Sequence, residues 1–94
     1  MTHEYPDLSA HDNAWIRFQN VTGFADKARK TYVVAVVNRT ADRSIGRIKW
    51  YGPWRQYCFL PDPETIFNTA CMKDIVGATA ALNASHKAGR KQLA

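Results

Sequence analysis

No stretch of this 94-residue sequence approaches the twenty or so consecutive apolar residues that would cross a bilayer. The N-terminus, Met1-Thr2-His3-Glu4-Tyr5-Pro6-Asp7, lacks both a basic head and an apolar segment, so no signal peptide is read there. The cytosol of the cell that makes it is therefore the expected location. Cysteine is scarce, at two residues, which suits a compartment that keeps thiols reduced. The spacing of Cys58 and Cys71 fits no zinc pattern, so no metal is expected, and both read as buried thiols, one on a strand and one on a helix.

Catalytic constellations are equally absent. There is no glycine-rich phosphate loop, no His-Glu-x-x-His helix, no nucleophile elbow, and no close carboxylate pair outside Asp62-Pro63-Glu64. Cys71 and His86 would lie more than about 20 Å apart on one straight helix, too far to act together. The chain is read as a non-enzyme that needs no cofactor. Lysine and arginine are missing from the first twelve positions, which hold Glu4, Asp7 and Asp12.

What is present is a basic middle and a dense aromatic block. The net charge is +5, and Lys27, Arg29, Lys30, Arg39, Arg43, Arg47, Lys49 and Arg55 meet only Asp26 and Asp42 nearby. Such a segment attracts nucleic acid or an acidic protein face, or simply keeps the surface solvated. Of three tryptophans and four tyrosines, Trp50, Trp54, Tyr51 and Tyr57 fall between Ile48 and Pro61, around Gly52-Pro53. That is more ring surface than a short hairpin needs to fold. It either anchors the core, or shows rings and cations to a partner, or does both.

Hydrophobic patterning predicts one small α+β domain. Residues 1–12 read as a flexible polar arm, 13–88 as the domain and 89–94 as a basic tail. Residues 15–21 form the first strand, and 23–30 a charged connection in which Phe24 tucks back. Tyr32 to Val37 is so apolar that it reads as a central strand buried on both faces. A third strand spans about 45–51 and a fourth 54–60. Pro61-Asp62-Pro63-Glu64 then breaks the sheet. Asn68 or Thr69 caps a helix whose stripe is Cys71, Ile75, Thr79, Leu82 and His86, with Met72, Val76 and Ala78 flanking. Gly77 would allow close packing on the sheet. The order predicts an antiparallel meander of three or four strands with one C-terminal helix packed on one face.

A two-residue Gly52-Pro53 turn would pair Tyr51 with Trp54, Trp50 with Arg55, Lys49 with Gln56 and Ile48 with Tyr57. Alternation then puts Gly46, Ile48, Trp50, Arg55, Tyr57 and Phe59 toward the helix. Arg47, Lys49, Tyr51, Trp54, Gln56 and Cys58 fall on the open face. The candidate partner-binding set is Arg43, Arg47, Lys49, Tyr51, Trp54 and Gln56, with Lys87, Arg90 and Lys91 as auxiliary cations. Such a face suits a protein hot spot, a stacking platform for nucleic acid, or a ring pair that only pins the turn.

From Lys49 to Ile75 the residues Lys-Trp-Tyr-Gly-Pro-Trp-Arg-Gln-Tyr-Cys-Phe-Leu-Pro-Asp-Pro-Glu-Thr-Ile-Phe-Asn, then Cys-Met-Lys-Asp-Ile, resemble a family of small, mostly uncharacterised phage and prophage proteins. The pattern there is KWY-PWRQYCFFP-P-T-FN--CL-DI before a final helix. Trp-Arg-Gln-Tyr and Pro-x-Thr-x-Phe-Asn are its specific parts. About a third of the chain is covered, and Leu60 stands where a second phenylalanine is common. The resemblance implies no agreed activity. It implies an accessory role, binding a host or phage protein, with nucleic acid as the alternative. The resemblance also implies that Trp50, Tyr57 and Phe59 serve as core, Pro61 and Pro63 as a corner and Asn68 as helix cap. The lack of a long apolar run separately implies no membrane, and the exposed face or an edge strand leaves a homodimer open.

Overall fold

The structure is a computed structural model that describes residues 5–22 and 31–93, with side chains up to Ala88. The charged connection 23–30 and the first four residues of the N-terminal arm lie outside the described residues. Four strands, β1 (Ile16–Asn20), β2 (Val33–Asn38), β3 (Arg43–Tyr51) and β4 (Gln56–Pro61), form an antiparallel sheet in the order β1-β2-β3-β4. One helix, α1 (Thr69–Leu93), follows. The α+β meander expected from the sequence is the observed architecture.

β2 is central because its side chains tolerate burial on both faces. Val34, Ala35, Val36 and Val37 are all buried. Asn38 ends the strand by accepting the Thr40 and Ala41 amides, and Asp42 takes a left-handed φ of 53° to close the turn into β3. The register between β2 and β3 shifts between Val36 and Val37, a local irregularity that leaves Ile45 packed against the core.

At the corner after β4, Thr65 Oγ1 donates to the Asp62 carbonyl and Glu64 adopts a φ of 60°. Asn68 then caps α1, its Oδ1 accepting the Cys71 amide at 2.8 Å. The helix lays Cys71, Ile75, Ala78 and Leu82 on Val34, Val36, Ile48 and Tyr57, all buried. Each aliphatic side chain so removed from water contributes about 1.5–3 kcal/mol. Trp50 and Phe59 pack against this core from its margins.

Four expectations are corrected. The β3–β4 connection contains four residues, because Gly52–Trp54 form a 3-10 turn and Arg55 closes it in the left-handed region at φ 52°. Tyr51 therefore pairs with Gln56, Trp50 with Tyr57, Lys49 with Cys58 and Ile48 with Phe59. The shift is two residues, and side chains alternate with period two, so the strand residues keep their expected faces. Only Trp54 and Arg55 leave the strand, and Arg55 stands exposed in the turn instead of under the helix.

Residues 5–12 are not a polar arm. Leu8, in a 3-10 turn at Leu8–His11, is 2% exposed in the core, and Tyr5 meets Tyr32 edge-on. A lone leucine carries no periodic signal, so the sequence hid this contact. Gly77 accommodates that turn and not the sheet: a Cβ there would stand 2.7 Å from His11 Nδ1. The helical backbone also runs on through the expected tail to Leu93.

Candidate binding face

The helix occupies one face of the sheet, and Arg47, Lys49 and Tyr51 of β3 point to the other. Alternation along β3 sends Ile48 and Trp50 to the helix, and Arg47, Lys49 and Tyr51 away from it. Across this open face Arg47 lies between Ala35 on β2 and Leu60 on β4. Lys49 lies between Val33 and Cys58, and Tyr51 opposite Gln56. Arg43 begins β3 and is exposed. The sheet thus brings Arg47, Lys49, Tyr51 and Gln56 into adjacent rows. Arg43, beyond the register shift, lies opposite Asn38, the partner of core Ile16, and so has the other parity and is not brought into this face.

Trp54 reaches the face from the turn. Its ring stands edge-to-face on Tyr51, with centroids 5.1 Å apart and planes at 84°. The pair remains accessible, Tyr51 at 40% and Trp54 at 67% exposure. An edge-to-face pair is electrostatically favourable and contributes about 0.5–1.5 kcal/mol beyond area burial. Two rings are thereby held in one geometry without being buried.

The cations divide into two kinds. Arg17, on the same face of β1, is paired with Asp42 at 2.7 Å. Arg43, Arg47 and Lys49 make no ion pair with a described carboxylate. Arg17 belongs to the face but escaped sequence reading, since nothing along the chain signals an ion pair between residues 25 apart. Lys87 is exposed on α1, away from the open face, and the side chains of Arg90 and Lys91 lie outside the described residues. Lys87 is therefore not brought into the face. Cys58 is half-buried on β4 and Cys71 buried on α1, one on a strand and one on the helix.

A second surface was not singled out from the sequence. Between β4 and α1 lies an apolar groove of about 540 Å³, walled by Phe59, Phe67, Met72, Ile75 and Val76. Met72 and Val76 are 52% and 67% exposed, and Ile66 nearby is 93% exposed. Met72, Val76 and Ala80 make a second row along the helix, which is the signal that locates this groove. Among the described residues no helix is long and apolar enough to cross a membrane.

No family model matches the chain, and no solved structure matches it. Among curated proteins it is similar to an uncharacterised 9.3 kDa protein of Acholeplasma phage L2, 34% identical over 47 residues. Those residues make up 50% of this chain, and the chain spans 60% of the relative's length. Over half its length, then, this protein is similar to a small phage protein.

Proposed function

We propose that this protein is a non-enzymatic phage accessory module that binds a host or phage protein in the host cytosol through the open face of its sheet. The observation that carries this reading is the exposed Tyr51–Trp54 pair, held edge-to-face at 5.1 Å beside Arg47 and Lys49, which pair with no described carboxylate. Rings fixed before contact lose little conformational freedom on binding, and Trp, Tyr and Arg dominate protein hot spots. Arg47 and Lys49 favour an acidic partner surface and steer its approach. Gln56 supplies an amide donor and acceptor at the rim. Phage similarity supports the accessory role.

The same cations also favour a second reading, sequence-tolerant nucleic-acid binding. Arg47 and Lys49 would follow phosphates while Trp54 stacks on a base.

One experiment separates them. Host lysate is passed over immobilised wild type, Trp54→Ala and Lys49→Ala, with retained proteins quantified, and labelled oligonucleotides are titrated at about 50 and 200 mM salt. The protein reading expects a partner lost from Trp54→Ala by a hot-spot margin, about 2 kcal/mol or roughly thirtyfold, and weakened less by Lys49→Ala. Micromolar oligonucleotide binding that collapses with salt, and flattens in Lys49→Ala, overturns it in favour of nucleic acid.

A further inference from the structure

The sheet has two outer strands, β1 and β4, and each turns a row of main-chain groups away from its neighbour. On β1 the inward groups belong to Trp15 and its alternates, since the Arg39 amide donates to the Trp15 carbonyl at 2.9 Å. Ile16, Phe18 and Asn20 therefore face outward. The outward groups of Ile16 and the Phe18 amide meet side chains and backbone of the preceding segment. The Ile16 amide donates to Asn13 Oδ1 at 3.0 Å, and the Asn13 amide donates to the Ile16 carbonyl at 3.0 Å. The Phe18 amide donates to Asp12 Oδ1 at 3.0 Å. Asn13 is itself tied to the helix, its Nδ2 donating to Asp74 Oδ2 at 2.8 Å.

β4 is treated the same way from the other side. The outward Tyr57 amide donates to Asn83 Oδ1 at 2.7 Å, and Asn83 Nδ2 donates to the Tyr57 carbonyl at 3.4 Å. One side-chain amide thus offers Tyr57 the donor and acceptor that a fifth strand would. Phe59 is the next outward residue by alternation, and beyond it Pro61 has no amide hydrogen to offer.

This protection matters more on β4 than on β1. An edge strand is commonly kept from pairing by a charge, and β1 has Arg17. β4 runs Gln-Tyr-Cys-Phe-Leu-Pro without one charge, and is rich in residues that favour strands. An uncharged edge of that composition pairs readily with an antiparallel copy of itself.

We infer that Asn83, together with Asp12 and Asn13, guards the sheet edges, and that the occupant Asn83 excludes is the β4 strand of a second copy of this chain. The guards sit on elements fixed by the core, so they are held at the edge without an entropy cost at each encounter. With these groups capped, the face of the sheet is a more open approach for a partner than either edge at Ile16–Phe18 or Tyr57.

The test uses the full chain. Sedimentation velocity is run on wild type, Asn83→Ala and Asn83→Asp over about a hundredfold range of concentration. Asn83→Ala is expected to self-associate at least about tenfold more tightly than wild type. Asn83→Asp keeps the acceptor for the Tyr57 amide and adds a charge, so it should behave as wild type. Equal mass at every concentration for wild type and Asn83→Ala would overturn the inference. Amide hydrogen exchange on the wild type decides the matter even if the alanine variant does not fold. The Tyr57 amide should be protected and the Phe59 amide should exchange faster. A Tyr57 amide that exchanges as fast as that of Phe59 would show that Asn83 does not hold the edge.

Discussion

Replacing Gly46 by alanine tests the packing of the β3–β4 hairpin, because two opposed effects give opposite signs. In an unobstructed strand Gly→Ala stabilises by about 0.4–1 kcal/mol, since alanine has less freedom to lose on folding. At Gly46 a Cβ would stand 2.6 and 2.7 Å from Phe59 Cε1 and Cζ, and 3.0 Å from the Leu60 carbonyl oxygen. The carbonyl belongs to the paired strand, Gly46 lying beside Pro61 and Arg47 beside Leu60. The ring has limited room to retreat, because Phe67 meets it edge-on at 5.4 Å. Overpacking of this kind costs about 1–3 kcal/mol, which outweighs the entropic gain. For a domain of this size the net loss corresponds to a fall in Tm of about 5–15 °C. Thermal unfolding followed by circular dichroism reads it directly. A Phe59→Leu background, with the offending ring atoms gone, should shrink the cost of Gly46→Ala by more than half. A Gly46→Ala protein as stable as wild type, or more so, would refute the reasoning, as would an unchanged cost in the Phe59→Leu background.

Two further predictions concern Tyr57. Its hydroxyl accepts the Tyr32 amide at 3.1 Å inside the core, so Tyr57→Phe strands a buried N–H and should cost about 1–3 kcal/mol in urea unfolding; a loss too small to measure would mean that amide finds another partner. Burial also pushes the phenol of Tyr57 up to about 12, and burial with the charges of Asp12 and Asp7 does the same for Tyr5. The unfolded chain releases these protons near pH 10 and the folded chain holds them. Stability is therefore complete below about pH 10 and falls as the pH rises toward 12. Unfolding midpoints measured across that window should drop, more steeply in wild type than in Tyr57→Phe; a flat profile would contradict the raised values.

Much of the fold was legible because it rests on periodicity. The apolar run of β2 could be satisfied only by burial on both faces, and the three- and four-residue recurrence from Cys71 to Leu82 only by a helix with one buried side. Two strands joined by a short turn and paired in antiparallel fashion then sort side chains by parity. That is why Arg47, Lys49, Tyr51 and Gln56 were assigned to the open face although the pairing was off by two residues. What escaped were contacts with no local period. Leu8 enters the core from a polar segment, and His11 fills the space that Gly77 leaves. Arg17 finds Asp42 across a turn, and Asn83 reaches Tyr57 from the helix.

The sequence by itself determined the sheet, the helix, their order and the two faces of β3, since hydrophobic alternation is a property of neighbours along a chain. Tertiary structure decided the length of the β3–β4 turn and the pose of Trp54 on Tyr51. It also set the pairing of Arg17 with Asp42 and the capping of the edge groups at Ile16, Phe18 and Tyr57. These depend on atoms distant in sequence meeting at hydrogen-bond and van der Waals range, where a few tenths of an ångström decide the outcome and no pattern along the chain records it.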